Sequence, residues 1–254
     1  ELWDIEQKFT RLLAKMESTG VKIDTELSGR ELERGLKVME EQRSSLGFNP
    51  SSPIQLGKFF IDELKLPIVK PTKTTAKLPP SQWKPSFDKE AMAVYDELLA
   101  LTNDDRAKRI LIYRGWQKTT SSNYKAYLEL LSSDGRLRPN FKIHGTKTGR
   151  LSCEKPNLQQ IPRESSNDWN GNLKKAFIAD EGYTSWGIDY SQLEFRLGAA
   201  LGREEFLIEV FNDRTRDVFT EMAKELGMTR FNTKTLNYTI QFGGGANRLS
   251  NVFG

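Results

Sequence analysis

One stretch near the end of the sequence carries two cations and two aromatic side chains at a helical spacing. These are Arg230, Lys234, Tyr238 and Phe242, each four positions after the one before. Because four residues advance an α-helix by about 400°, the four side chains form one stripe along a predicted helix. Guanidinium and ammonium groups suit a polyphosphate, and aromatic rings suit a flat ring system. The spacing therefore predicts a helix that can hold a nucleoside triphosphate.

A second group of polar residues follows a short apolar run. Trp186, Gly187 and Ile188 lead to Asp189, and Glu194 follows on a predicted helix. A carboxylate at the end of a strand can position Mg²⁺ beside phosphate oxygens. An Asp after a strand is more often a turn or helix-capping residue, so both interpretations stay open for this segment alone.

Two predicted loops carry side chains that can hydrogen-bond to bases or sugars. Arg150 follows Gly149 in the first loop, and Asn157 and Gln159 stand in the second. Arg, Asn and Gln are side chains that contact base edges in nucleic-acid grooves. Taken alone, such residues are more often explained by ordinary turn and capping chemistry.

The elements that must position these residues are mainly helical. Apolar periodicity and capping residues predict helices at 5–16, 26–46, 52–64, 88–102, 104–131 with a break near 119–122, 192–201, 204–211, 217–226 and 230–242. Extended segments are predicted at 21–24, 136–144, 177–178 and 186–190, and a loop at 67–85. The pattern indicates an α+β fold that is mainly helical.

Composition limits the possible function classes. The 254 residues carry a net charge of +4 and include one cysteine, Cys153, and one histidine, His144. An internal disulfide and a metal site with two imidazoles are therefore excluded, and we expect a reducing, cytoplasmic location. No apolar run approaches the roughly 20 residues that span a bilayer, so we expect no membrane partner. Because the chain begins at Glu1, we expect it to be a piece of a longer protein.

Taken in order, these segments resemble the family A DNA polymerases. Residues 189–196 are similar to the family's motif A, and residues 148–152 with 156–162 are similar to the segment that contacts the primer terminus. A third run is similar to the family's motif B, with Arg230, Lys234, Asn237, Tyr238 and Gly243. Residues 17–24, 48–56 and 114–115 match the family's thumb and N-terminal palm, and residues 144–146 resemble phage members.

The resemblance implies a partial right-hand polymerase fold. It comprises a palm-base helix and lead-in at 1–26, a helical thumb at 27–131, a palm with motif A and part of an antiparallel sheet at 132–216, and the start of the helical fingers with motif B at 217–254. The implied function of the parent enzyme is template-directed DNA synthesis in phage-type replication, by nucleotidyl transfer from a dNTP to a primer 3′-hydroxyl. The implied partners are primer–template DNA, dNTP, the rest of the polymerase and replication accessory proteins.

The resemblance also implies roles for individual residues in the reaction. Asp189 would bridge two Mg²⁺ ions, and the Tyr190 carbonyl would add a ligand. Lys234 would grip the triphosphate and give a proton to the leaving pyrophosphate. Further nucleotide contacts are implied for Arg230, Tyr238, Phe242, Gln192 and Glu194, of which Glu194 would exclude a 2′-hydroxyl.

Contacts to DNA are implied for five residues. Arg150, Asn157 and Gln159 would read the minor groove near the primer end. Arg196 would brace the site, and Lys118 would meet backbone phosphate from the thumb.

The sequence departs from the family pattern at several positions. Thr239 stands where a Gly is frequent, Phe242 where a Tyr is, and Phe219 where a His contacts the triphosphate in many members. Motif C, a strand ending in His-Asp-Glu, has no match, because the only histidine is His144, upstream of motifs A and B. One carboxylate of the two-metal site is therefore missing from this sequence, and we expect the chain alone to be inactive.

Two alternatives stay open. The chain could be a non-catalytic or split-polymerase piece that binds primer–template DNA and needs another chain to supply motif C. A single-subunit RNA polymerase shares a Lys and a Tyr on the equivalent helix, but Glu194 argues against it because a ribonucleotide needs room for its 2′-hydroxyl.

Overall fold

The computed structural model describes residues 1–162, 169 and 172–253. Within these residues the chain divides into two compact units, 1–185 and 186–254. The predicted palm segment 132–216 includes 163–168, 170 and 171, which lie outside the described residues. Both units are mainly helical, as predicted. None of the described helices is long and apolar enough to cross a membrane.

Six α-helices form the framework of the first unit over its described residues. They are α1 (Leu2–Thr19), α2 (Thr25–Leu46), α3 (Pro53–Gly57), α4 (Lys89–Ala100), α5 (Arg106–Thr119) and α6 (Ala126–Glu129). A π-helical turn, Lys58–Glu63, continues α3, so the predicted helix at 52–64 is confirmed as a composite element. The core around it is aromatic, with the rings of Phe60 and Tyr95 stacked at 4.3 Å. The predicted loop at 67–85 contains one 3₁₀ turn, Pro80–Gln82.

Local side-chain chemistry explains where these helices begin and end. The Asp24 carboxylate accepts a hydrogen bond from the Leu27 amide at 2.8 Å, which satisfies a free donor of the first turn of α2. Ser52 does the same for α3. Gly47 ends α2 with φ of 72°, a left-handed conformation that favours glycine. These capping residues place the helix starts within a few residues of the predicted positions.

The predicted break in the long helix at 104–131 is a change of helical type. Residues Thr120–Lys125 form a π-helical turn between α5 and α6. Within this turn the Tyr124 side chain is fully buried. The wider turn changes which side chains face the core without ending the helix, which is how a π-bulge acts.

Among the described residues of the first unit, four short strands pair in two small antiparallel sheets. Strand β1 (Val21–Lys22) pairs with β2 (Arg136–Leu137), and β3 (Asn140–Lys142) pairs with β4 (Ser152–Glu154). The predicted strand at 177–178 is an isolated antiparallel bridge between Phe177 and Ile23. The antiparallel strands expected in this part of the chain are present, but they are short.

Five helices form the second unit. They are α7 (Leu193–Gly202), α8 (Glu205–Asn212), α9 (Val218–Leu226), α10 (Arg230–Gln241) and α11 (Ala246–Phe253). The core consists of Phe195, Val210, Val218 and Phe219. It draws side chains from α7, α8 and α9, and Tyr238 of α10 packs against it. The predicted helix with the cation and aromatic stripe therefore packs on a small core of its own unit.

The predicted strand at 186–190 is wrong. The segment has no regular secondary structure, and it pairs with no strand among the described residues. Its apolar side chains face solvent, with Trp186 84% and Ile188 93% exposed. A strand needs a neighbour to satisfy its backbone donors and acceptors, so an apolar run cannot form one by itself.

Candidate nucleotide-binding site

Helix α10 has local signals at both ends. The Thr229 hydroxyl accepts a hydrogen bond from the Asn232 amide at 3.2 Å and caps the first turn. After the last turn Gly243 adopts φ of 76°. A Cβ on the next residue, Gly244, would lie 2.7 Å from the Thr239 carbonyl oxygen, so any other residue there would displace its surroundings. The two glycines end the helix and turn the chain back beside it.

A pocket of about 660 Å³ lies along one face of α10. Its walls include all four residues of the predicted stripe. The lining residues are Arg230, Phe231, Lys234, Thr235, Tyr238, Thr239, Phe242 and Arg248. Small-molecule sites have volumes of a few hundred to about a thousand cubic ångströms, so the space suits a nucleotide.

A series of aromatic rings supports this face of α10. Phe195 and Phe219 stack in parallel with centroids 5.6 Å apart. Phe219 is 5.8 Å from Tyr238, which stacks in turn on Phe242 at 6.0 Å. The series runs from the buried core to the surface: Phe219 is 1% exposed, and Phe242 lies largely in solvent. Such pairs add stability beyond their buried area, so the Tyr238 ring has a defined orientation.

The two cations of the stripe lie over the same buried ring. The Arg230 Cζ atom is 5.9 Å and the Lys234 Nζ atom 6.0 Å from the Phe219 centroid. Lys234 is also 5.9 Å from the Tyr238 ring. Attraction between a cation and the negative face of a ring is effective within about 6 Å. Phe219 thus lies beneath both predicted phosphate-binding groups.

One carboxylate contacts this group of cations. Asp217, which caps α9, accepts hydrogen bonds from Arg230 Nε at 2.8 Å and from Arg230 Nη2 at 2.9 Å. The Arg230 hydrogen bond, with smaller help from Thr220, lowers the pKa of Asp217 to about 2. The same contact raises the pKa of Arg230. Both groups are therefore charged throughout the physiological range.

The start of α7 carries two of the predicted nucleotide contacts. Gln192 precedes the helix in a left-handed conformation with φ of 55°, and Glu194 lies exposed in the first turn. The Glu194 carbonyl accepts a hydrogen bond from Gln241 Nε2 at 2.8 Å, which ties α7 to the last turn of α10. The side-chain oxygens of Gln192 and Gln241 are buried and accept no hydrogen bond from the described residues.

Arg196 contacts its own unit. Its Nε donates to the Ser191 carbonyl at 2.9 Å, and its Nη1 donates to the Phe211 carbonyl at 2.8 Å. The guanidinium also lies 4.6 Å from the Phe211 ring. Arg196 therefore ties the turn before α7 to the end of α8, a geometry consistent with bracing the site.

Asp189 and Tyr190 lie on the exposed segment before α7. Both side chains face solvent, and the segment ends in the turn at Ser191 and Gln192. No group of three or more His, Cys, Asp or Glu side chains that could hold a metal ion occurs within residues 1–162, 169 and 172–253. Asp189 is thus the one predicted carboxylate ligand in this unit, beside the carbonyl of Tyr190.

The predicted primer-side residues lie in the first unit, between and after strands β3 and β4. Arg150 is exposed in the turn before β4, and its carbonyl accepts a hydrogen bond from the Thr146 hydroxyl at 2.7 Å. Asn157 caps a 3₁₀ turn, Leu158–Gln160, by accepting from the Gln159 amide at 3.1 Å. The Gln159 side chain remains exposed. Asn157 therefore has the structural role that turn chemistry predicts, whatever contact it makes with a ligand.

The predicted phosphate contact Lys118 is exposed in the last turn of α5. It lines a pocket of about 590 Å³ with Arg114, Lys89 and Trp169. Arg114 donates to the backbone carbonyls of Pro50 and Phe87, and burial lowers its pKa. The exposed positive charge at this position is therefore carried by the lysines.

Comparison with known proteins adds to this geometry. The model of the family described as DNA polymerase family A matches residues 23–254. The chain belongs to DNA polymerase family A. It is 33% identical to the thermostable DNA polymerase I of Thermus thermophilus and 32% identical to DNA polymerase I of Geobacillus stearothermophilus. These alignments cover 98% and 95% of this chain, but only 30% and 28% of the relatives.

A solved family structure has the same fold. The POL domain of Pol1 from M. smegmatis, in complex with DNA primer-template and dNTP, matches with a TM-score of 0.79 and 27% identity. The match covers 97% of this chain and 43% of that chain. The partial polymerase fold implied by the sequence motifs is therefore confirmed.

Two residues at the candidate site are not predicted from the sequence. Arg248 on α11 lines the α10 pocket as a third cation. The three glycines at 243–245 were the signal, because they allow the chain to turn back along α10. Asp217 stands at the start of the predicted helix 217–226, and its contact with Arg230, thirteen positions later, has no local signature.

Proposed function

We propose that this chain carries the nucleotide-binding helix and primer-side contacts of a DNA-directed DNA polymerase. The parent enzyme would transfer a nucleotidyl group from a dNTP to a primer 3′-hydroxyl. The observation that carries the proposal is the α10 pocket, where Arg230, Lys234, Tyr238 and Phe242 line one space in a chain of family A. The chain spans about 30% of the length of its curated relatives, so the activity belongs to the larger protein.

The proposed work of α10 is to bind and orient the nucleotide. Arg230 and Lys234 would neutralise the triphosphate, and Lys234 would donate a proton to the leaving pyrophosphate. Tyr238, whose ring is supported by Phe219, would stack on the sugar and base. Phe242 would extend that stack toward the template. Arg248 would add a third positive charge at the same pocket.

We assign sugar selection and a further nucleotide contact to α7 and the segment before it. Glu194 would exclude a 2′-hydroxyl, Gln192 would contact the nucleotide, and Arg196 would keep the turn in place through its two carbonyl contacts. Arg150, Asn157, Gln159 and Lys118 of the first unit would contact primer–template DNA. The domain bounds 1–26, 27–131, 132–216 and 217–254 are part of this proposal.

Family A polymerases generally use divalent metal ions. The donors here fit Mg²⁺ in chemistry, because Mg²⁺ binds through one or two carboxylates together with waters and phosphate oxygens. Asp189 and the Tyr190 carbonyl would hold it, and the ion would neutralise charge on the phosphates and lower the pKa of the attacking hydroxyl. Motif C of the larger protein would supply the second carboxylate. The proposed parent of this chain is a phage-type replicase.

Binding of dATP to the purified chain tests the nucleotide site. We expect Lys234→Ala to raise the Kd by roughly 10-fold to 100-fold, because a charge-assisted contact to phosphate is lost. Lys224→Ala is the matched control, since Lys224 is an exposed lysine on the neighbouring helix α9 and pairs with Glu221 at 2.9 Å. Equal affinity of wild type and both variants in equilibrium dialysis would rule out α10 as the triphosphate site.

Primer extension by the complete polymerase tests the reaction. We expect Asp189→Ala to abolish extension and to leave DNA binding intact. Normal extension by that variant would contradict the metal-binding role of Asp189.

A further inference from the structure

The contact between Asp217 and Arg230 has a specific stereochemistry. The carboxylate approaches the side of the guanidinium, with Oδ1 on Nε–H and Oδ2 on Nη2–H at 2.8 and 2.9 Å. Oδ1 also accepts from the Thr220 amide and hydroxyl, both at 2.9 Å, which anchors the carboxylate to the first turn of α9. Because two donors other than the arginine hold Oδ1, the carboxylate is a fixed point for Arg230.

A side-on pair leaves the other edge of the guanidinium available. An arginine has five N–H donors in one plane, and this pair uses one on Nε and one on Nη2. The two N–H groups of Nη1 and the outer N–H of Nη2 point away from Asp217. One N–H on each terminal nitrogen forms the end-on edge, which can bind a phosphate through two parallel hydrogen bonds.

The Phe219 ring limits the remaining freedom of the guanidinium. It lies 5.9 Å from the Arg230 Cζ atom and is fixed in the core by its parallel stack on Phe195. Asp217 and Phe219 stand two residues apart at the start of α9. The start of α9 therefore contacts the Arg230 guanidinium twice, through the Asp217 carboxylate at one edge and through the Phe219 ring.

We propose that Asp217 is a positioning residue for nucleotide binding, which orients Arg230 so that its end-on edge faces the triphosphate. The inference rests on the proposed function of α10. It deepens that function, because it assigns Asp217 a role and explains how an exposed arginine is ordered before the ligand arrives. The opposite role is a carboxylate that competes with the triphosphate for Arg230, and affinity measurements distinguish the two.

Asp217→Asn is the appropriate variant, because Asn is as good an N-cap as Asp and keeps α9 intact. The Asn amide has no negative charge, and it offers Arg230 one acceptor oxygen in place of two. Asp217→Ser is a second variant that also retains a capping side chain. Glu221→Gln is the matched control, because Glu221 on the same helix pairs with Lys224 at 2.9 Å and Arg216 at 3.4 Å.

The test is the Kd for dATP, and for inorganic tripolyphosphate, of the purified chain in a double-mutant cycle. We expect Asp217→Asn and Asp217→Ser to raise the Kd by about 3-fold to 10-fold for both probes, and Glu221→Gln to leave it unchanged. In an Arg230→Ala background, Asp217→Asn should have no further effect. A purely structural role would instead give the same fold-change with and without Arg230.

The other outcomes separate the positioning role of Asp217 from nucleotide binding at α10. Tighter or unchanged binding by Asp217→Asn, with Lys234→Ala still weakened, would overturn the positioning role and leave the nucleotide site standing. Wild-type affinity in Lys234→Ala would instead reject the proposed nucleotide site itself. An equal loss in Glu221→Gln would show that any ion pair on α9 has the same effect, and would also overturn the role of Asp217.

Discussion

Two segments of the second unit carry the proposed chemistry, and they differ in how far the chain alone organises them. Helix α10 has capped ends, a supporting aromatic series and a pocket along one face. The segment 186–190, which carries Asp189, is exposed and makes no strand pairing among the described residues. A helix satisfies its backbone hydrogen bonds within itself, whereas a strand requires a neighbour. The nucleotide side of the proposed site is thus preformed, and the segment proposed for the metal is not organised by the described residues.

The largest expected effect tests the aromatic support under α10. Phe219 is 1% exposed and contacts Phe195 and Tyr238, so Phe219→Ala should lower the free energy of unfolding by about 3–5 kcal/mol. Ile188→Ala, at a 93% exposed position, should change it by less than about 0.5 kcal/mol. The measurement is the denaturant dependence of amide exchange in α10. Comparable losses in the two variants would show that the segment 186–190 is packed after all.

A smaller effect tests the turn that ends α10. A Cβ at Gly244 would lie 2.4 Å from Thr239 Cγ2 and 2.7 Å from the Thr239 carbonyl oxygen. Gly244→Ala should therefore cost about 1–3 kcal/mol of stability through forced displacement. Gly245→Ala is the control, because a Cβ there would meet nothing within 4 Å. Urea midpoints that are equal for the two variants would contradict the close packing of this turn.

The smallest effect is the pH dependence that Asp217 gives to the second unit. Arg230 lowers the folded-state pKa of Asp217 to about 2, below the usual 3.8. A carboxylate with a lowered pKa stabilises the folded protein above its unfolded pKa, and this contribution is lost as the pH falls from about 4 through about 2. For a partly exposed pair we expect less than about 1 kcal/mol. In Asp217→Asn the urea midpoint for unfolding of α9 and α10 should change less between pH 4 and pH 2 than it does in the wild type. The same pH dependence in both proteins would contradict the pairing.

The accuracy of the sequence-based predictions follows the range of the interactions involved. The starts of α2, α3 and α10 were predictable because Asp24, Ser52 and Thr229 act on amides three residues away. The stripe of cations and aromatic residues on α10 was likewise visible, since it depends only on helical period.

Features that depend on distant residues were not predictable. The run 186–190 has the composition of a strand, but a strand forms only where a neighbour is present. The contact of Asp217 with Arg230 and the position of Arg248 in the α10 pocket depend on how α9, α10 and α11 pack together. The family resemblance implied the fold, and it gave no signal for these contacts of this particular chain.

Amide hydrogen exchange in the ligand-free chain tests the central comparison most directly. If α10 is preformed, the amides of Lys234 to Gln241 will exchange slowly, because each donates within the helix. The amides of Trp186 to Tyr190 will exchange at nearly the rate of an unfolded chain. Equal protection of the two segments, or rapid exchange throughout α10, would contradict the account.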